Sequence, residues 1–380
     1  MTRALLVPFP PAGHTEPMDA LASRLREDGH DVTLFTESPH TRWGRDRPVP
    51  AELYAHGDAG ALFRRLFLGD VVDMTLDIVE LADACDAEVI VSDVMMPGGG
   101  LAAELARLPW ASLSCSPLPV LDHHRTFLPE HVTAAFEPNS TREELGLPLD
   151  DERSLLGRTS DRLHLIPSTP RFAGYPALAP EVALVGPLTR VPPEVGRPGG
   201  VGRPTVVISG STHTLDSLGG RMFLQDRFLG AAVEALGGLE VTGLVTHAVD
   251  GSVPAHVRVP ANVRVLGPTP HEGLFDTADA VVTHAGWGTV SRALVRGLPL
   301  VLVPISGDQP YIAARCAELG LGVALEAETV TAEKLRSAVR AVTEEPRYRL
   351  AAAELAAELR AAAPLATAGS MISSFRVTEG

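Results

Sequence analysis

A chain of two α/β domains, each built on a doubly wound parallel sheet, is what this sequence predicts, and three observations predict it. Short apolar β-runs alternate with helical patterns through both halves. The 380 residues are too many for one compact α/β domain and suit two. Between the halves the composition changes at Thr189, and Val191-Pro192-Pro193-Glu194-Val195-Gly196-Arg197-Pro198-Gly199-Gly200 reads as a linker.

The elements follow in order. Arg3-Ala4-Leu5-Leu6-Val7-Pro8-Phe9 is a buried-strand run, and Pro10 to Gly13 is a tight loop. His14 comes next, with Thr15 placed to cap a helix and Pro17 suited to its first turn. Met18 to Leu25 has the apolar spacing of an inward face, and Gly29 stops it before the strand Gly29–Phe35. This β-loop-α-β start lacks the Gly-x-Gly-x-x-Gly fingerprint of dinucleotide binding, which argues against a plain dehydrogenase. Further β-runs at Val32–Thr36, Val89–Ser92, Ala111–Ser114 and Leu163–Ile166 complete a first domain over residues 1–188. After a linker at 189–204, a second series fills 205–362: Thr205–Ile208, Val241–Thr246, Val263–Leu266, Ala280–Thr283 and Leu300–Val303. Helical patterns at Ala332–Thr343 and Tyr348–Ala362 close it. The last is too short for a coiled-coil seam and is expected to pack on its own domain. Residues 363–380 form a tail expected to pack back on the first domain.

Composition narrows the function. Hydrophobic residues make up 45%, enough for two cores, and mean hydropathy is +0.12. No apolar run approaches a membrane span, and no basic n-region with a cleavage site opens the chain, so a cytoplasmic protein is expected. The net charge of −15 argues against nucleic acid and anionic membrane as partners. Cys85, Cys115 and Cys316 are scattered without metal-ligand spacing, and buried reduced thiols are the expectation.

The most informative stretch runs from Asn262 to Leu325. There Ala280-Val281-Val282-Thr283 breaks into the turn His284-Ala285-Gly286-Trp287-Gly288-Thr289, and an amphipathic segment follows. A strand that breaks into glycines and opens a helix presents free N–H groups at the helix's positive end, where phosphate sits well. A Gly-x-Gly turn alone is common, and a histidine at a strand end is more often structural. The combination is specific. His284, Gly286, Gly288, Thr289, Gly297, Pro299, Asp308 and Gln309 resemble, in type and spacing, the donor-site signature of glycosyltransferase family 1, the UDP/TDP-sugar glycosyltransferases. Gly13-His14-x-x-Pro17 resembles that family's Gly-His-x-x-Pro loop. The likeness covers nearly the whole chain and is strongest to bacterial natural-product and antibiotic enzymes.

The resemblance implies a GT-B fold, two Rossmann-like doubly wound domains facing across a cleft, with acceptor and donor meeting there. It implies that His14 is a general base and that Asp93, at the end of its strand, fixes the tautomer of His14. Read without the family, Asp93 is a cap on the helix from Pro97. On the donor side the family match implies that His284, Gly286, Trp287, Gly288 and Thr289 hold the diphosphate. Ser211 or Thr212 would add a hydroxyl, the Thr269 backbone would meet the base, and Asp308 and Gln309 the sugar hydroxyls. For the last two, a helix N-cap is the alternative. Two departures stand out. Pro268 occupies the place of the stacking aromatic, and Arg292 the place of a glutamate that binds ribose. Arginine cannot accept a hydrogen bond, so ribose recognition is altered in a way that a 2′-deoxyribose donor tolerates better.

For the acceptor, Phe63, Leu66, Phe67, Met74, Met95 and Met96 offer an apolar pocket near His14, against plain core packing. His123 and His124 offer contacts, against two solvated histidines. The function expected is an inverting glycosyltransferase that moves a sugar from a TDP- or UDP-donor to a small lipophilic acceptor. Without an Asp-x-Asp motif, no metal is expected. No cofactor is expected either, since the nucleotide sugar is a co-substrate, and a homodimer is the assembly expected. Two rivals stay open: a non-catalytic GT-B homologue that activates a partner transferase, and a sugar-nucleotide 2-epimerase.

Overall fold

The computed structural model describes residues 1–9, 12–36, 71–117, 138–150, 158–174, 178–192, 202–210, 222–246, 253, 256–267 and 269–375. The chain divides into two compact units, Met1–Leu188 with Ala363–Gly380, and Thr189–Ala362.

The first unit is built in the order β1 (Arg3–Val7), α1 (Ala12–Glu27), β2 (Asp31–Leu34), α2 (Val71–Ala84), β3 (Val89–Asp93), α3 (Pro97–Ala106) and β4 (Trp110–Leu113). It continues through α4 (Pro138–Glu144), β5 (His164–Ile166), α5 (Pro170–Ala173) and β6 (Val182–Leu184). All strands pair in parallel, in the order β2-β1-β3-β4-β5-β6. Such a sheet is covered on both faces, so its strands are nearly continuous apolar runs. Leu5, Leu6 and Val7 of β1 and Val89, Ile90 and Val91 of β3 are fully buried. α1 lays Met18, Leu21, Ala22 and Leu25 on this sheet. The α-helix α12 (Pro364–Ser374) adds Ala368 and Ile372 to the same core and packs on α1.

α1 starts earlier than the sequence suggests. It opens at Ala12, so Thr15 lies inside the helix and does not cap it, and Pro17 is its sixth residue. A proline there forfeits one i→i−4 bond near the helix start, where few such bonds exist to lose. His14 is consequently a helical residue.

The second unit runs β7 (Thr205–Ser209), α6 (Met222–Gly237), β8 (Thr242–Thr246), β9 (Val263–Leu266), α7 (His271–Thr277), β10 (Ala280–Thr283) and α8 (Trp287–Leu294). Then come β11 (Leu300–Leu302), α9 (Gln309–Glu318), β12 (Gly322–Ala324), α10 (Ala332–Glu344) and α11 (Pro346–Ala361). Its parallel sheet has the order β12-β11-β10-β7-β8-β9, the strand order of a Rossmann sheet. Phe228, Val233 and Leu236 of α6 and Leu335 and Val339 of α10 pack on one face of it. α11 contacts α8 and α10, both of its own unit. Among the described residues no helix is long and apolar enough to cross a membrane.

Each sheet has one place where the chain reverses its direction of growth. In the first it lies between β1 and β3, in the second between β7 and β10. Ligands of open α/β sheets bind beyond the carboxyl ends of the strands at such points.

One buried residue ties the first unit's stability to pH. His164 of β5 is 2% exposed, and its Nδ1 lies 2.9 Å from Ser112 Oγ. Burial pushes its pKa down to about 4, outweighing the opposing hydrogen bond to the Ser112 backbone. In the unfolded chain a histidine titrates near 6.5, so between those values only the unfolded state takes up the proton. Stability therefore falls as pH falls from about 6.5 to about 4 and levels off below, a loss on the order of 3 kcal/mol. Denaturant midpoints measured from pH 7 to 4.5 should drop steeply in the native chain and less steeply in His164→Asn. An unchanged slope in the variant would assign the effect to other groups.

Candidate active site

At the first reversal point β1 delivers the chain to Phe9 and α1, and β3 ends on Asp93. His14 Nδ1 lies 2.8 Å from Asp93 Oδ2. The Asp93 side chain is fully buried, while that of His14 is 23% exposed, so one end of the imidazole reaches solvent. The Phe9 ring meets the imidazole edge-on at 5.0 Å. An ionised carboxylate only accepts, so Asp93 makes Nδ1 the donor and puts the ring's lone pair on Nε2.

Asp93 is held from two further sides. Its Oδ1 accepts the Met95 N–H at 2.8 Å, and Cys115 Sγ lies 2.9 Å from the same Oδ2 that faces His14. The helix cap that the sequence offered as an alternative is not its role. The N-cap of α3 is Met96, without a side-chain cap bond. α3 sits close on β3 because Gly99 carries no side chain: a Cβ there would lie 1.9 Å from Ser92 Oγ. Of the apolar candidates, Met96 and Met74 are buried in the core and Met95 is half-buried. Phe63, Leu66, Phe67, His123 and His124 lie outside the described residues, as do Ser211, Thr212 and Pro268. A separate cavity lined by Arg3, Glu80, Asp83 and Asp86 opens at the amino end of β1, away from Asp93.

At the second reversal point β10 runs into His284, which is buried, with its Nδ1 3.5 Å from Thr283 Oγ1. Ala285 takes the left-handed conformation at φ +70°, a turn that costs a non-glycine residue roughly 1 kcal/mol or more. Gly286 is the N-cap of α8, and a Cβ on it would lie 2.5 Å from His284 Nε2. The imidazole thus lies over a loop that only glycine leaves open. Trp287 is buried at the start of α8, and Gly288 follows it. Thr289 Oγ1 lies 3.5 Å from Ser209 Oγ, the last residue of β7. Ser209 Oγ is in turn 3.1 Å from His271 Nε2, whose ring stacks on Phe275. Burial, reinforced by the nearby Arg292, pushes the His271 pKa down to about 4, so this imidazole is neutral at pH 7.

Arg292 is turned onto the protein. Its Nε donates to Glu272 Oε1 at 3.0 Å and its Nη1 to the Gly288 carbonyl at 2.9 Å. Asp308 stands in the N-cap position of α9 but makes no side-chain cap bond. Gln309 Oε1 accepts from the N–H groups of Ile305 and Ser306 at 2.8 and 3.0 Å, closing the loop after β11. Thr269 Oγ1 donates to the Gly267 carbonyl in an exposed turn.

Sequence reasoning placed His14 with Asp93 and placed His284 in its glycine turn. It did not find Cys115, Ser209, His271 or Glu272. Cys115 and Ser209 each stand at or just past the end of an apolar β-run, a position that itself marks the ligand end of a parallel sheet.

Comparison with known proteins bears on the fold and the kind of protein this is. Residues 233–371 match the family "Erythromycin biosynthesis protein CIII-like, C-terminal domain". The chain is 29% identical to 4'-demethylrebeccamycin synthase of Lentzea aerocolonigenes over 94% of its own length and 96% of that protein. It is 29% identical to zeaxanthin glucosyltransferase of Pseudescherichia vulneris over 85% of its length and 86% of that protein. The solved structure of the glycosyltransferase VinC in complex with dTDP superposes with a TM-score of 0.73 at 20% identity, covering 98% of this chain and 99% of the other. With its two parallel-sheet domains the chain has the GT-B fold, it is similar over most of its length to glycosyltransferases of the antibiotic type, and residues 233–371 match the EryCIII-like C-terminal domain.

Proposed function

We propose that the chain is an inverting, metal-independent glycosyltransferase that moves a sugar from a TDP- or UDP-sugar to a small lipophilic natural-product acceptor. The observation that carries this reading is the 2.8 Å contact of His14 Nδ1 with Asp93 Oδ2 at the carboxyl end of β3. In the step, the acceptor hydroxyl gives its proton to His14 Nε2 while its oxygen attacks the anomeric carbon. The bond from that carbon to the diphosphate breaks on the opposite face, and the nucleoside diphosphate leaves with the bonding pair. Asp93 stabilises the imidazolium that forms. A single in-line displacement inverts the anomeric centre. A non-catalytic activator would have no use for this buried, tautomer-fixing pair.

The donor diphosphate is assigned to His284 and the first turn of α8, Gly286 to Thr289, where the helix end and imidazole offset its charge. Asp308 and the amide NH₂ of Gln309 are assigned to the sugar hydroxyls. Arg292 is committed to Glu272 and Gly288, which leaves the ribose without the acceptor the resemblance leads one to expect. A deoxyribose donor loses least from that, and the dTDP bound to VinC supports the same preference. Calorimetric titration should show micromolar binding of TDP, weaker binding of UDP, and loss of both in His284→Ala. Binding of neither nucleotide to the native chain would sink this reading.

A further inference from the structure

His14, Asp93 and Cys115 place three unlike donor atoms together: an imidazole nitrogen, a carboxylate oxygen and a thiol sulfur, all within 4.8 Å of one another. They come from α1, the end of β3 and the segment after β4, which is why no ligand spacing announces them in the sequence. We propose that His14 Nδ1, Asp93 Oδ2 and Cys115 Sγ form an inhibitory site for zinc.

The donor set is one that zinc takes in its three-ligand sites, with a fourth position left to water. Asp93 is 1% and Cys115 8% exposed, so both are held in place before any ion arrives. His14 is the partly exposed member, and its side offers entry from solvent. Bonds of 2.0–2.3 Å in a tetrahedron place ligand atoms ~3.3–3.8 Å apart. The contacts from Oδ2 to Nδ1 and to Sγ are now 2.8 and 2.9 Å. They are hydrogen-bond lengths that open by less than ~1 Å once the metal replaces the protons between them.

The proton balance gives the consequence. Without metal, the Nδ1–H and the S–H both point at Asp93 Oδ2. Zinc takes up the thiolate and the Nδ1 lone pair: the thiol proton goes to solvent and the Nδ1 proton is transferred to Nε2, for a net release of one proton. A metal-bound neutral imidazole then carries its hydrogen on Nε2 and has no lone pair there to accept a proton. Binding is a property of the three side chains alone. Inhibition rests on the base role of His14 proposed above.

Cobalt tests the site by spectroscopy. Reduced, chelator-treated full-length protein titrated with Co²⁺ should develop thiolate-to-cobalt charge-transfer absorption, abolished by one equivalent of Zn²⁺. Calorimetry with Zn²⁺ in buffers of different ionisation enthalpy should report one released proton. Cys115→Ser, checked for an unchanged melting temperature, should lose the absorption and bind zinc at least about tenfold more weakly. Cys85→Ser and Cys316→Ser should keep both. Absence of the band in the native chain, or its persistence in Cys115→Ser, overturns the site. In a transfer assay Zn²⁺ should inhibit the native chain at concentrations at least about tenfold below those needed for Cys115→Ser. A Cys115-dependent band in a protein without transfer activity would overturn the base reading and leave the site standing.

Discussion

His14→Ala is expected to lower the rate of sugar transfer by roughly 10²- to 10⁴-fold at saturating donor, with nucleotide binding unchanged. Removing the imidazole leaves the acceptor hydroxyl to lose its proton to water, while the donor residues all lie in the unit Thr189–Ala362. Asp93→Asn should be nearly as severe for a different reason. The asparagine oxygen stays on the Met95 N–H, where Oδ1 now accepts at 2.8 Å. Its NH₂ then faces His14 Nδ1, which must become the acceptor and send the ring proton to Nε2. The wrong tautomer blocks the base without removing it. Because both changes disable one unit, the double variant should be little slower than either single one. Initial rates with radiolabelled TDP-sugar measure this. A His14→Ala variant that keeps more than a tenth of native activity would refute the assignment.

The parts of this molecule that were legible in its sequence are those that physics writes locally. The strands β1 to β5 and β7 to β11 are apolar runs because a parallel sheet is buried on both faces. Among the described residues the two strands that escape this pattern, Val182–Leu184 and Gly322–Ala324, are three residues long and lie at sheet edges, where burial demands little. Gly322 also disguises its strand. Glycine is required there because a Cβ would lie 2.0 Å from the Leu300 carbonyl oxygen, yet in sequence it reads as punctuation after α9. The late start assigned to α1 has a similar origin. Pro17 reads as a marker of the first turn, but a helix tolerates proline slightly further in.

Within the site, what could be read was what sits in a motif. His14 and His284 carry flanking glycines and a resemblance, and the structure sets both at reversal points of their sheets. Cys115 is 22 residues from Asp93 and 101 from His14, so only the register of β3 with β4 joins them. Scattered cysteines without metal-ligand spacing predict buried reduced thiols. Cys316 fits this, fully buried with its pKa pushed well up by desolvation. Cys85 is only half-buried, and Cys115 hydrogen-bonds a carboxylate. Arg292 is the opposite case: its position was legible but its partner was not. The Glu272 carboxylate that holds it sits 20 residues away on α7.

Gly286→Ala should weaken TDP binding by about 10- to 100-fold, the worth of one charge-assisted hydrogen bond, with little effect on the melting temperature. The backbone at Gly286, with φ −63° and ψ 135°, suits alanine, so no conformational strain enters. The nearest obstacle is the His284 ring, whose Nε2, Cε1 and Cδ2 would lie 2.5, 3.2 and 3.4 Å from the new methyl carbon. A side chain can swing aside at modest cost to stability. The cost then falls on function, because the displaced imidazole is the one assigned to the diphosphate. Gly288→Ala is the contrast: among the described residues its methyl would meet only Arg292 Nη1, at 3.2 Å, leaving His284 in place. Calorimetry with TDP should therefore rank the chain and its variants as native, then Gly288→Ala, then Gly286→Ala. His284→Ala should be as weak as the double variant Gly286→Ala/His284→Ala, since the added methyl can displace only a ring that is still present. Native-like TDP affinity in Gly286→Ala would separate His284 from the diphosphate and move the phosphate site to the α8 backbone alone.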